Sequence, residues 1–278
     1  MRFQGVIHLL RTIPRLLGIV MMLLIGLALL FLFVMGLRRG DARLQEADNS
    51  YLSGENAKTI AERQAAFNHA LSLYLDLEKD YNPRFGTGKL SYNIGNAYYQ
   101  LGEYAWSILY YQRAKALMPR DERVQRNLSA ALKRLSLPNP SENGFFADIF
   151  SFRPYLSLPE RLQLFFAFNI LALMFCSWYF YRRSRGIKIV AAFSLALMAL
   201  MLLSLGYTRY FSPIQAVVVH SVDLRRDAGE HYAKVGKQPV AAGTNVEVLS
   251  ESNDGKWLKV LAPSGEMGYA PQSDVRIQ

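Results

Sequence analysis

The side chains that could bind a ligand in this chain are mainly amides and cations. Asn93 and Asn127 are 34 residues apart, and their carboxamides, which donate and accept hydrogen bonds, could hold the backbone of an extended peptide. Arg123 precedes Asn127 by four residues, so the two share one helix face, and Arg126 directly precedes Asn127. Cations beside amides could bind a carboxylate. The other interpretation is that these are ordinary solvated helix residues.

No set of residues in the sequence indicates catalysis. His8, His69, His220 and His231 are scattered, and neither cysteines nor clustered acids complete a zinc site around them. The sequence contains no phosphate-binding glycine loop and no G-x-S-x-G motif. The single cysteine, Cys176, excludes an intramolecular disulfide. We therefore expect a binding protein rather than an enzyme, with neither a cofactor nor a metal.

Three uncharged apolar runs indicate a membrane protein. Residues 16–37, 162–181 and 189–208 each span at least 20 residues, enough to cross about 30 Å of hydrocarbon as a helix. The first run is either an uncleaved anchor or a signal peptide, although a signal core is usually only about 7–15 residues long. For the other two runs, the alternative is a buried helix of a soluble core.

The net charge of +10 predicts how the chain crosses the membrane. Seven of the ten net charges lie in the N-terminal residues 1–15 and in the basic loop 182–188, which the positive-inside rule assigns to the cytoplasm. Three spans then place residues 38–161 and 209–278 outside the cytoplasm. This distribution indicates membrane topology and not a nucleic-acid-binding surface.

The candidate binding residues fall in a predicted helical domain, residues 38–137. A first helix, with Leu44, Ala47 and Tyr51 on one face, is predicted to end at Gly54. A second helix is predicted from about Ala57 to Asp80, followed by a stop at Asn82-Pro83, and a last helix from Asp121 to about Leu135. The predicted apolar face of the second helix comprises Ala66, Phe67, Ala70, Leu71, Tyr74 and Leu77.

Residues 89–119 resemble a tetratricopeptide (TPR) repeat, in which two antiparallel helices pack through small and aromatic residues. The positions that carry the resemblance are Ile94, Gly95, Tyr98, Gly102, Tyr104, Ser107, Tyr111, Ala114 and Pro119. In TPR proteins the first helix of each repeat lines a concave groove, and 34 residues is one repeat length. The resemblance therefore implies a groove that prefers an acidic or C-terminal peptide, lined by Lys89, Tyr92, Asn93, Asn96, Tyr99, Arg123, Arg126 and Asn127.

Residues 138–161 connect this domain to the second apolar run. Phe145, Phe146, Ile149 and Phe150 could form a short amphipathic helix on the membrane surface. The equally open alternative is a plain linker that packs on the helical domain.

Residues 212–278 alternate with a period of two, which predicts a small all-β barrel. The predicted strands are Ala216–Val222, Val240–Ala242, Asn245–Glu251, Lys256–Ala262, Gly265–Ala270 and Val275–Ile277. Their order resembles the bacterial SH3-like barrel, although Gly268-Tyr269 stands where that family often has Gly-Trp. Tyr232, Trp257 and Tyr269 could form an aromatic ligand groove, or Trp257 could belong to the core.

The whole arrangement resembles the BatE-type aerotolerance proteins of bacteria. The most specific segments are YNIGNAYYQLGEY at 92–104 and PRDERVQRNL at 119–128. The resemblance implies a multi-pass inner-membrane protein with TPR helices, three transmembrane helices and an SH3-like barrel, both modules being extracytoplasmic. It also implies membrane-bound von Willebrand A-type partners and a MoxR-type ATPase. The alternative is a cell-wall anchoring protein whose barrel binds peptidoglycan and whose TPR recruits a wall enzyme.

Overall fold

A computed structural model describes residues 42–80, 88–138 and 155–278, together with Gly26. The described chain is mostly helical, with a small antiparallel sheet at its C-terminal end. It divides into two compact units, one that contains the helical domain and the sheet, and one that contains residues 160–205. The predicted segment 1–15, the predicted segment 16–37 apart from Gly26, the Asn82-Pro83 stop and most of the 138–161 linker lie outside the described residues.

The helical domain contains the helices that the apolar period predicts. Its helices are α1 (Ala42–Asn56), α2 (Ile60–Asp80), α3 (Gly88–Gln100), α4 (Tyr104–Leu117) and α5 (Glu122–Arg134). The predicted apolar face of α2 is buried apart from Ala66, which is half-buried. Asp121 is the N-cap of α5, and its side chain accepts a hydrogen bond from the Arg123 backbone N–H, as an acidic residue at that position should.

The prediction that Gly54 ends the first helix is wrong. Helix α1 continues to Asn56, and Gly54 is buried inside it. A Cβ at this position would lie 2.9 Å from Cε1 of Phe67, whose ring also packs against Tyr51 with centroids 5.1 Å apart. The glycine therefore allows α1 and α2 to approach closely, which is a packing role rather than a helix stop.

Helices α3 and α4 form the antiparallel pair that the spacing of residues 89–119 predicts. Gly102 has a φ of +84° in the turn between them, a conformation that favours glycine. Tyr111 lies against Gly95, where a Cβ would be 2.7 Å from its Cδ1 atom. The ring is fully buried, so the absence of a side chain at Gly95 sets the distance between the two helices.

The C-terminal region is an antiparallel sheet rather than the closed barrel predicted from the sequence. Its strands are β1 (Ile214–Val218), β2 (Asn245–Glu251), β3 (Trp257–Leu261), β4 (Met267–Pro271) and β5 (Val275–Ile277), in the order β4-β3-β2-β1-β5. The outer edge of β4 does not pair with β5, because Arg225 exchanges two backbone hydrogen bonds of 2.8 Å with Tyr269 there. The predicted strand Val240–Ala242 is reduced to a single bridge between Val222 and Val240.

Strand β1 is buried on both faces and joins the sheet to the helices. Ala216 and Val218 belong to the core of the sheet, whereas Val217 and the following Val219 belong to the helical core. Gly243, in the turn before β2, has a φ of +86°, and a Cβ there would lie 2.9 Å from Cδ1 of Ile108. The helices and the sheet therefore share one continuous apolar contact.

Polar contacts fix α4 onto the edge of the sheet. The Gln112 amide donates to Asn245 Oδ1 at 2.8 Å and accepts from Gln278. The Arg113 guanidinium donates to the Ile277 carbonyl at 2.9 Å and forms a salt bridge with Glu78 of α2. These half-buried pairs give the apolar contact a defined orientation.

The remaining helices, α6 (Leu158–Arg182) and α7 (Arg185–Tyr210), are long and apolar enough to cross a membrane. They contain the predicted runs 162–181 and 189–208. The buried residues of these helices include Ala172, Ala191 and Ser194, which are small enough for such helices to pack closely. The Arg161 guanidinium also donates a hydrogen bond to the Ser204 hydroxyl. The exposed tryptophan and tyrosine side chains of the hairpin, Trp178, Tyr181 and Tyr210, lie towards its ends, whereas the exposed Phe166 and Phe193 lie between the ends.

The predicted basic loop 182–188 is mostly helical. Helix α6 ends at Arg182 and α7 begins at Arg185, so only two residues connect them. Arg183 closes this turn with a φ of +44°. The basic side chains are still concentrated at the tip of the hairpin, which preserves the charge pattern used to predict topology.

We expect Gly95→Ala to destabilise the helical domain by about 1–3 kcal/mol, because the added methyl group overlaps the buried Tyr111 ring. Thermal unfolding of the full chain, followed by circular dichroism, measures the loss. In a Tyr111→Leu background the cost of Gly95→Ala should shrink, since the clash is removed. An equal cost in both backgrounds would show that another contact determines it.

Candidate binding groove

Two adjoining open cavities, of about 290 and 330 Å³, lie between α1 and α3, and the second also extends to α5. Both are lined by Tyr51 of α1 and Asn96 of α3, so they form one continuous depression, which we call the groove. Asp48, Leu52, Tyr74 and Asn93 line only the first cavity. The second is further lined by Glu55, Tyr92, Tyr99, Gln100, Tyr111, Asn127 and Ala130.

Asn127 connects α5 to α3 at the floor of the second cavity. Its Nδ2 donates to the Tyr92 hydroxyl and to Asn96 Oδ1, each at 3.0 Å. Asn96 Oδ1 also accepts a 2.7 Å hydrogen bond from the buried Tyr111 hydroxyl. Three of the residues that the sequence predicts to line a groove, Tyr92, Asn96 and Asn127, thus lie together and hold one another in place.

Asn93 connects α3 to α1 at the first cavity. Its Nδ2 donates to Asp48 Oδ1 at 3.0 Å, and the Tyr74 hydroxyl donates to the same oxygen at 2.6 Å. Asp48 is a groove residue that the sequence reasoning missed. A signal was present, because Asp48 follows Leu44 by four residues and therefore shares its helix face. No repeat spacing pointed to it, since Asp48 precedes Asn93 by 45 residues rather than by one repeat length.

The amide oxygens of Asn93 and Asn127 are the groups best placed to bind a peptide. Both residues direct Nδ2 towards other protein groups, and among the contacts of the described residues neither Oδ1 atom has a donor. A carboxamide oxygen can accept hydrogen bonds from backbone N–H groups of an extended segment. The arrangement therefore offers two acceptors on neighbouring helices.

Burial keeps the groove tyrosines in their protonated form. Desolvation raises the pKa of Tyr51, Tyr74 and Tyr111 above the ordinary tyrosine value. Their hydroxyl groups consequently remain hydrogen-bond donors across the physiological pH range. The groove can therefore bind a ligand through hydrogen bonds and ring stacking with its neutral tyrosine side chains. Its acidic side chains lie on α1.

The predicted basic residues contribute less to the groove than the amides do. Lys89 is exposed and lines neither cavity. Arg126 is exposed and pairs with Glu122 at 3.1 Å. Arg123 donates two hydrogen bonds to Asp121, and its guanidinium carbon lies 5.8 Å from the centre of the Tyr92 ring. The Arg123 guanidinium also holds the pKa of Asp121 below its ordinary value.

Arg134 is a further groove-edge cation that sequence reasoning missed. Its Nε donates to the Tyr99 hydroxyl at 3.3 Å, and its guanidinium carbon lies 5.9 Å from the centre of the Tyr104 ring. Arg134 follows Tyr99 by 35 residues, close to one repeat length, which was the available signal.

Of the three aromatic residues predicted to form a groove on the sheet, Trp257 and Tyr269 lie on strands and Tyr232 lies in a loop. Leu258 occupies the sheet core, so Trp257 lies on the opposite, half-exposed face. Tyr269 pairs with Lys259 across β3 and β4, which places it on the same face as Trp257. The ring of Tyr232 stacks on His231, with centroids 4.2 Å apart, in the loop before β2.

Comparison with known proteins adds no identification. No protein-family model matches this chain, and no curated protein matches it. Within the described residues, no three His, Cys, Asp or Glu side chains lie together as a metal site would require. The function is therefore interpreted from the groove, the sheet and the apolar hairpin.

Proposed function

We propose that this protein is a membrane-anchored scaffold whose groove binds an extended segment of a partner protein. The observation that carries the proposal is the continuous groove between α1, α3 and α5, with the Asn93 and Asn127 amide oxygens available on its surface. An extended peptide exposes backbone N–H groups that can donate to such acceptors, which gives affinity without a fixed sequence. Tyrosine rings between the amides provide flat surfaces for its side chains.

The arrangement of the helices supports a TPR-like interpretation of this groove. Helices α1 and α3 are the first members of two successive helix pairs, α5 follows them as a single last helix, and these three helices provide most of the groove lining, as first helices do in TPR domains. The partner α2 and α4 helices lie behind them, where α4 contacts the sheet. The short antiparallel strands support an SH3-like interpretation of the sheet in the same way.

We further propose that α6 and α7 anchor this scaffold in the bacterial inner membrane, with the groove and the sheet outside the cytoplasm. Two long apolar helices with exposed tryptophan and tyrosine residues towards the ends of the hairpin and basic residues at the connecting turn support this placement. The resemblance to BatE-type aerotolerance proteins suggests von Willebrand A-type proteins and a MoxR-type ATPase as the partners. That part of the proposal rests on sequence resemblance alone.

Cell-wall anchoring is the second candidate function. It is favoured by the half-exposed face of the sheet, where Trp257, Lys259 and Tyr269 lie together and could contact a glycan chain. Under this candidate the binding of peptidoglycan depends on the sheet. It should therefore be insensitive to substitutions that fill the groove.

Filling the second cavity should abolish peptide binding without unfolding the protein. Ala130 is exposed and lines that cavity, so the indole in Ala130→Trp occupies the space of a bound peptide. We expect the purified full chain to enrich particular peptides from a randomised decapeptide library. Ala130→Trp should bind these peptides at least about tenfold more weakly.

The matched control is Ala65→Trp, which adds the same side chain at an exposed position of α2 that lines neither cavity. Its affinity for the enriched peptides should equal that of the native chain. Equal loss in both variants, or no enrichment by the native chain, would contradict the proposed groove function.

The single cysteine allows the proposed topology to be tested directly. In a Cys176→Ser background, Ser184→Cys reports on the hairpin turn and Ser273→Cys on the exposed turn before β5. A membrane-impermeant maleimide applied to cells with a permeabilised outer layer should label position 273 and not position 184. Labelling of position 184 in intact inner membranes would reverse the assigned orientation.

A further inference from the structure

The wall of the groove formed by α1 is acidic. Asp48 and Glu55 are seven residues apart, two helical turns, and each lines one of the two cavities. Within the described residues, neither carboxylate forms a salt bridge, whereas Asp76, Glu78, Asp80, Asp121 and Glu122 all do. Glu46, Glu62 and Glu103 also form no salt bridge among the described residues, but only Asp48 and Glu55 line the groove.

The hydrogen bonds of Asp48 leave one oxygen available to a ligand. Tyr74 and Asn93 both donate to Oδ1, and no contact of the described residues engages Oδ2. Both donors are neutral, so they orient the carboxylate and leave its charge uncompensated. A half-buried carboxylate held in this way is preorganised for a cation.

The same cavity can accommodate the aliphatic part of a basic side chain. Tyr51 and Leu52 line it beside Asp48, and Leu52 is half exposed. Lysine and arginine carry long apolar stems, which pack on such surfaces while the charged head reaches an acid. A phenol ring near the head also attracts a cation through its π face.

We propose that the first cavity of the groove selects a lysine or arginine side chain of the bound peptide, which forms a charge-assisted hydrogen bond with Asp48 Oδ2. This inference rests on the proposed function and specifies its ligand. It reverses the preference for an acidic or C-terminal peptide that the TPR resemblance implies. The reason is that Arg123 and Arg126 are already paired with Asp121 and Glu122 on their own helix turn, whereas Asp48 and Glu55 have no such partner.

An acidic peptide side chain would be disfavoured at the same place. It would bring a third negative charge close to Asp48 and Glu55 in a partly desolvated cavity, where like charges repel more strongly than in bulk water. It could reach Arg123 only by competing with the two hydrogen bonds of Asp121, and Arg134 lies by the second cavity, where its Nε donates to the Tyr99 hydroxyl.

Asp48→Asn tests this assignment with little change in the fold. The asparagine carbonyl oxygen can still accept the hydrogen bonds from Tyr74 and Asn93, whereas the negative charge is lost and the Oδ2 acceptor becomes an NH2 donor. The matched control is Glu46→Gln, which removes an exposed negative charge of the same helix that lines neither cavity. The probes are decapeptides enriched from the randomised library by the native full chain, resynthesised with the basic residue retained or replaced by alanine.

We expect the enriched peptides to share a lysine or arginine at one position, and its replacement by alanine to weaken binding about tenfold. Asp48→Asn should cause a similar loss for the basic peptide and almost none for its alanine version. Glu46→Gln should bind both peptides as the native chain does.

Three results would overturn the assignment. Enriched peptides with an acidic or uncharged common position, or a basic peptide that Asp48→Asn binds unchanged, would remove the cation site and leave the groove function intact. If the native chain selects no peptides beyond those that Ala130→Trp also selects, this result would instead reject the proposed function itself, and the cation site with it.

Discussion

The ring of Tyr111 lies on Gly95, and its hydroxyl donates to the oxygen of Asn96 in the groove. One side chain thus determines how closely α3 and α4 pack and fixes an amide at the floor of the groove. Asn96 in turn accepts from Asn127, which positions α5. Because the helix packing and the groove share these residues, a change in the distance between helices would change the binding surface as well.

The sheet provides a second constraint on the helical domain. So few helix pairs bury too little apolar surface by themselves, since each pair covers only its neighbours. Here Val217 and Val219 of the sheet region enter the helical core, and Gln112 and Arg113 fix α4 to the sheet. The strands therefore complete the core that the short series of helices leaves open, while the groove on α1, α3 and α5 retains its lining of amides and tyrosines.

Local patterns were sufficient to predict most elements and much of the groove. The apolar period placed α2 to α5, and the alternation placed five of the strands. The 34-residue spacing pointed to Asn93 and Asn127, which line different cavities of the groove and contact different partners. Gly54 was misinterpreted because a glycine that ends a helix and one that admits a neighbouring ring have the same local signature. The uncompensated charge of Asp48 depends on which side chains meet across helices, and a single sequence does not specify these contacts. The contact of β1 with the helices could have been predicted from the continuous run of apolar residues from Ala216 to Val219, because such a run indicates a strand that is buried on both faces.

The central claim is that the surface between α1, α3 and α5 contacts the partner. Site-specific photo-crosslinking in the native membrane tests it most directly, with p-benzoylphenylalanine in place of Leu52, which lines the first cavity and is 51% exposed. The control replaces Ile60, a 77% exposed apolar residue at the start of α2 that lines neither cavity. A discrete crosslinked product from position 52 that disappears in Ala130→Trp and is absent from position 60 is the predicted result. The same product from both positions, or a product from position 60 alone, would contradict the account.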